Sequence, residues 1–179
     1  MTILTLIKTT EKIQVKTSKE IKYLTYAGII AALYVALTAV SALFGMSSGV
    51  IQLRLSEALC VLPVFSSAAV PGVTVGCLVS NLIFGGTVYD AVLGTLATLI
   101  GAVIARLLRR LPYLAPVPTV LSNAAVVPLV FVFSGIGGFE MYPYYALTVG
   151  LGEVVSCGVL GTLLTVAVKK NDRLGKLFK

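Results

Sequence analysis

The chain has 179 residues, 58% of them hydrophobic and 12% charged, with no histidine and no tryptophan; a soluble domain carries roughly a quarter charged residues, so the composition is that of a membrane protein. Its net charge of +7 sits at the ends, because ten of the fourteen Lys and Arg residues lie before Tyr23 or after Val168. Basic tails flanking apolar spans are not the basic face of a nucleic-acid-binding domain, and three scattered cysteines, Cys60, Cys77 and Cys157, without a histidine argue against zinc and read as small packing residues.

Residues 1–22 carry Lys and Thr throughout and lack the long apolar core of a signal peptide. They read as a cytoplasmic N-terminal extension. Six apolar segments follow, at 23–45, 52–66, 69–84, 89–110, 114–135 and 143–168, and residues 169–179 form a basic cytoplasmic tail. The predicted fold is therefore all-α and integral to the membrane, with six transmembrane helices over 23–168 and both termini cytoplasmic. Lys and Arg test the orientation independently: with the N-terminus inside, thirteen of the fourteen basic residues fall inside, as the positive-inside rule requires. The outer loops "GMSSGV", "GGTV" and "SGIGGFEMYP" contain none.

In the first segment, "AGIIAALYVA" sets Ala27 and Ala31, and Ala32 and Ala36, at four-residue spacing, which lets another helix approach closely. Packing against the chain's own helices satisfies that spacing as well as a partner does, and the same holds for Ala97, Gly101 and Ala105.

The second segment holds the exceptional basic residue. "IQLRLSEAL", residues 51–59, places Arg54 and Glu57 three apart in an otherwise apolar chain. Its alternation could be a strand, but a lone strand edge does not sit in lipid with its backbone unpaired. An extended outer loop or first helical turn, leading into a helix through "EALCVLPVF", fits better, and in a helix positions 54 and 57 share a face. They either form a mutual ion pair or serve a ligand.

Further along, Asp90 caps the fourth helix or faces a site, Glu140 belongs to a polar outer loop, and Glu153 lies about ten residues, roughly 15 Å, into the last span with no basic neighbour in sequence. An intramembrane ionisable residue marks a cavity or a partner by default. Asn81 and Asn123 can hold helices together or serve a ligand. Tyr142, Tyr144 and Tyr145 belong at the outer interface, where they can also stack on a flat molecule. The outer half sums to one positive and four negative charges, which suits a neutral or cationic ligand. With no phosphate-binding Gly-rich loop, the chain itself binds no ATP in that manner. Lacking histidine, a metal cluster or a nucleophile pair, it is not read as an enzyme.

Five stretches, "YAGIIAALYVALT", "IQLRLSEALCVLPVF", "AVPGVTVGCLVSNLI", "DAVLGTLATLIGA" and "TVGLGEVVSCGVLG", together resemble the QueT family, substrate-binding S components of energy-coupling factor (ECF) transporters. The resemblance runs from about Tyr23 to Lys169. It implies a six-helix subunit of the cell membrane that captures a queuosine precursor on the outer side. The partners implied are a transmembrane coupling subunit and two cytoplasmic ATPases that bind the ATP, with no cofactor in this chain. It also implies that Ala27, Ala31, Ala32 and Ala36 contact the coupling subunit. Queuosine precursors are 7-deazaguanines, whose adjacent ring N–H and amino group suit one carboxylate. Glu153 is the expected carboxylate, with Glu57 second; Arg54, Asn81 or Gln52 would meet the carbonyl, Asp90 and Asn123 complete the site, and Tyr144 would stack on the ring. A surplus of acids favours the amine-bearing 7-aminomethyl form and queuine over the nitrile. The competing expectation is a self-contained channel or ion-coupled carrier; such carriers commonly show two related halves, and no repeat relates 23–85 to 89–168.

Overall fold

The computed structural model describes residues 3–46, 52–85 and 87–171, with side chains described from Gln14 onward. Residues 1–2 and 47–51, Gly86 and the expected basic tail beyond Asn171 lie outside the described residues. Six helices follow one another: α1 Ile3–Leu43, α2 Leu55–Val64, α3 Ala69–Phe84, α4 Asp90–Leu107, α5 Pro116–Phe133 and α6 Phe139–Lys170. Four of them, α1, α4, α5 and α6, are long and apolar enough to cross a membrane.

Helix α1 runs unbroken through both the expected extension and the first apolar segment. At 1.5 Å per residue its 41 residues reach about 60 Å, twice the hydrocarbon thickness. Helix α1 ends where Gly45 takes a positive φ of 68°, with Gly45 N–H on Ala42 O and Met46 N–H on Ser41 O. Gly135 (φ 73°) ends α5 by the same pattern, and only glycine adopts that conformation without a Cβ penalty.

The second expected span differs most. In place of an α-helix over 52–66 there is a ten-residue 3₁₀ helix, about 20 Å long at roughly 2 Å per residue, too short to cross about 30 Å of hydrocarbon. It is apolar on all sides because it is surrounded: α1, α3, α4 and α6 pack around it, and Cys60 and Val61 are fully buried. Pro63 within it lacks an N–H, and Arg106 of α4 donates Nη1 to the Pro63 and Val64 carbonyls at 3.2 and 3.3 Å, satisfying carbonyls the helix end leaves open. The three cysteines are buried and unpaired, as packing residues.

Glycine sets the helix contacts. A Cβ on Gly76 of α3 would stand 2.6 Å from Tyr34 Cβ and one on Gly72 2.9 Å from Ile30 Cβ, so α1 and α3 touch backbone to side chain. Gly101 brings α4 as close to Thr119 of α5, with Ala97 and Ala105 buried on the same face; this small-residue row is used within the chain. The bundle also has two chemically distinct ends. At one, Tyr23 Oη reaches Ser67 O, Arg106 reaches the end of α2, and Lys169 Nζ lies 4.4 Å over the Tyr113 ring. At the other, Leu53 N–H meets Met46 O, and Thr87 meets Ser134.

Candidate functional site

A ladder of hydroxyls fixes the site's central segment. Tyr34, Thr38 and Ser41 recur at helical spacing on α1, and each meets a successive residue at the start of α2. Ser41 Oγ accepts the Leu55 N–H at 2.9 Å, Thr38 Oγ1 and Ser56 Oγ lie 2.8 Å apart, and Tyr34 Oη donates to Glu57 Oε1. The other Glu57 oxygen accepts from the Cys60 thiol at 3.2 Å. Glu57 is 2% exposed, and burying a carboxylate demands such partners.

Arg54 stands just before the helix in extended conformation (φ −108°, ψ 111°), so its side chain turns to α3 while that of Glu57 turns to α1. The mutual ion pair, one of the two alternatives for these residues, is not formed; among the described residues the ion pair within 4.0 Å is Lys16–Glu20, on the exposed part of α1. Instead Arg54 Nη1 donates to Asn81 Oδ1 at 2.7 Å, and Asn81 Nδ2 donates to the Asp90 carbonyl at 3.0 Å. Arg54 Nε is buried and has no partner among the described residues.

Asp90 does cap α4. Thr87 N–H and Oγ1 both donate to Asp90 Oδ2 at 3.0 Å, and Asp90 N–H returns a 3.3 Å bond to Thr87 Oγ1, the reciprocal arrangement of a capping box. Asp90 also opens a π-helical stretch, Asp90–Gly94, and Glu153 immediately precedes a second, Val154–Leu160. Such stretches are frequent at functional sites. On α6, Asn123 Nδ2 of α5 donates to Glu153 Oε1 at 2.8 Å, while Glu153 Oε2 is buried without a partner. Gly152 beside it admits the Gln52 carbonyl, which a Cβ there would overlap.

Gln52, Arg54, Glu57, Asn81, Asp90, Asn123 and Glu153, seven of the eight expected ligand residues, line one cavity. Its space open to the centre of a water molecule is about 30 Å³, room for about two waters. A larger ligand enters only if the walls part. Tyr144 is not among the lining residues. It is 51% exposed, because it lies on the face of α6 shared with the exposed Leu147 and Leu151, whereas Tyr145, one position on, is buried against Phe131 at 5.0 Å between ring centres. Tyr142 donates to the Ala125 carbonyl at 2.6 Å, and Glu140 is exposed. The expected aromatic stacking wall is therefore replaced by Val127, Val130 and Val149.

Those valines, with Cys77, Gly94 and Thr98, are lining residues the sequence reading missed, as it missed Tyr34, which does not line the cavity but holds Glu57 from behind. Helical periodicity carried the signal: Gly94 and Thr98 lie four and eight residues after Asp90, Val127 four after Asn123, and Val149 four before Glu153. The α1 alanines divide. The Ala27 and Ala31 carbonyls face Gly72 and Gly76 within the chain, while Ala32 and Ala36 are exposed.

One guanidinium and three carboxylates thus converge on a cavity with an unused buried donor and an unused buried acceptor, a site equipped to hold a polar molecule. Residues 24–170 match the family described as QueT transporter. Over 85 residues the chain is 41% identical to the protein named Queuosine precursor transporter QueT of Lactococcus lactis subsp. cremoris (strain MG1363), a match covering 48% of this chain and 49% of that one, so it spans about half the length of the relative. No solved structure matches the chain. With most of its length matched, the chain belongs to the QueT transporter family, whose members are transporters and not enzymes.

Proposed function

We propose that the chain is the substrate-capturing subunit of an ECF-type transporter that imports a queuosine precursor, a 7-deazaguanine, across the cell membrane. A transmembrane coupling subunit and two cytoplasmic ATPases complete the transporter and supply ATP hydrolysis. The observation that carries the reading is the pair of buried, unpartnered groups on the cavity wall, Arg54 Nε and Glu153 Oε2. A 7-deazaguanine offers the complement of both, a carbonyl for the donor and an adjacent N–H and amino group for the acceptor. Reading a base by that edge is a general strategy. The name of the Lactococcus relative agrees with this substrate class.

Six spans with both termini cytoplasmic accompany the proposal, the buried α2 and the α3 beside it counting as the second and third. Its support is the gathering of Arg106 and Lys169 at one end of the bundle with Ser67 and Tyr113, as a cytoplasmic face requires. Ala32 and Ala36, exposed on α1, are the part of the alanine pattern left for the coupling subunit.

Calorimetry on the purified chain in nanodiscs, with 7-aminomethyl-7-deazaguanine, queuine and guanine, tests the reading. Glu153→Gln turns an acceptor into a mixed donor and acceptor, and an unpaired buried group costs about 1–3 kcal/mol, so affinity should fall roughly 10- to 100-fold. A folded sample that binds no purine would overturn the substrate assignment. A chain that transports without copurifying ATPases would be the self-contained carrier.

A further inference from the structure

The geometry points to Asp90 as the residue that selects, among flat bases of the class proposed above, one bearing a primary ammonium arm. The three cavity carboxylates are in three different states. Both oxygens of Glu57 are engaged, by Tyr34 and Cys60, in a side chain almost wholly buried. Glu153 is held on one oxygen by Asn123, and its other oxygen is buried, which suits it to the pairing edge of a base. Thr87 holds Asp90 on Oδ2, and no hydrogen bond to its Oδ1 occurs among the described residues.

Asp90 is also immobilised from three sides, a condition for discrimination. Thr87 fixes its carboxylate, Asn81 binds its carbonyl, and Thr87 Oγ1 lies 3.2 Å from Ser134 Oγ at the end of α5. Its position completes the argument. Asp90 stands at the start of α4 beside the end of α5, whereas Asn123, which holds Glu153, lies ten residues back along α5, about 15 Å deeper. A base with its pairing edge on Glu153 and Arg54 directs a substituent on its five-membered ring towards the start of α4, where Asp90 Oδ1 receives an ammonium group by a charge-assisted hydrogen bond.

The inference rests on the deazaguanine reading, and its test separates the two. Affinities of 7-aminomethyl-7-deazaguanine and 7-cyano-7-deazaguanine are measured by calorimetry on the full chain in nanodiscs, wild type against Asp90→Asn. Asparagine keeps an acceptor for Thr87 and loses the charge; Asp90→Ser repeats the comparison in a second background, and melting curves accompany both. The aminomethyl base should lose at least tenfold in affinity while the nitrile base keeps its own. Equal losses for the two bases, or no loss for either, would overturn the role of Asp90 and leave the transport reading standing. A folded wild type that binds neither base would overturn the reading and the inference together.

Discussion

Removing one oxygen from the middle of α1 tests whether Glu57 belongs to the fold or to the ligand. Tyr34 is fully buried, and its hydroxyl is one of two donors to the Glu57 carboxylate, the other being a thiol at 3.2 Å. Thiols are weak donors. Tyr34→Phe keeps the ring and creates no cavity, so its cost is that of a hydrogen bond to a charged group, about 1.5–3 kcal/mol. Roughly 2 kcal/mol corresponds to about a 30-fold shift in the folding equilibrium. The chain supplies its own reporter. Cys60, Cys77 and Cys157 are 0%, 2% and 0% exposed, so a thiol-reactive dye labels them only as the bundle opens, and its signal against temperature or denaturant gives the midpoint. Tyr34→Phe should lower that midpoint, and combining it with Glu57→Gln should cost less than the sum of the single changes by about 1 kcal/mol or more, as for groups in direct contact. An unchanged midpoint, or additive single effects, would refute the ladder as a source of stability. A loss of base affinity at unchanged stability would make Tyr34 a ligand residue instead.

The other predictions read out on the same assays. Gly76→Ala should destabilise by about 1–3 kcal/mol through overpacking, because the new Cβ would stand 2.6 Å from Tyr34 Cβ and 3.0 Å from the Ala31 carbonyl, whereas Gly28→Ala, with nothing within 4 Å, should leave the melting midpoint unchanged or raise it. Thr87→Ala should cost about 1 kcal/mol by opening the capping box, and a melting curve unaffected by it would deny Asp90 its fixed position. Ala32→Leu with Ala36→Leu, on the exposed side of α1, should leave melting and base affinity as they are and abolish copurification with a coupling subunit; retained copurification would remove these alanines from the interface.

Most of the site was legible because charge in an apolar chain is expensive and so carries information. The four charged residues chosen on that ground, Arg54, Glu57, Asp90 and Glu153, line one cavity, and the neutral Gln52, Asn81 and Asn123 join them there. Tyr144, chosen instead as an interfacial aromatic, does not line it: a tyrosine near a membrane interface is amphipathic on either helix face, and only the packing of Tyr145 on Phe131 distinguishes them. Tyr34 went unseen for the converse reason, since within "AALYVALT" it reads as another apolar residue until its hydroxyl is paired with a carboxylate 23 positions away. The 3₁₀ form of α2 was equally hidden. Its composition is that of any buried helix, and its end carbonyls are satisfied by Arg106, a residue 42 and 43 positions on. The run of alanines on α1 was legible as a pattern but not as a destination, because only the glycines of α3 decide which pair is used within the chain.

The spacing in "IQLRLSEAL" invites a direct bridge between Arg54 and Glu57, and such a bridge would have consumed the charges that make the site. The extended backbone at Arg54 separates them. Glu57 is then spent on holding α1 to α2, and Arg54 is anchored by one nitrogen to Asn81. This leaves Arg54 Nε and Glu153 Oε2 buried without partners, each at a cost of about 1–3 kcal/mol, a local inconsistency of the kind that natural sequences keep at functional sites. A molecule that supplies both missing partners recovers the energy on binding, and one that supplies neither leaves both groups desolvated and unpaired. On the proposed reading the same two atoms account both for affinity and for rejection of the wrong molecule.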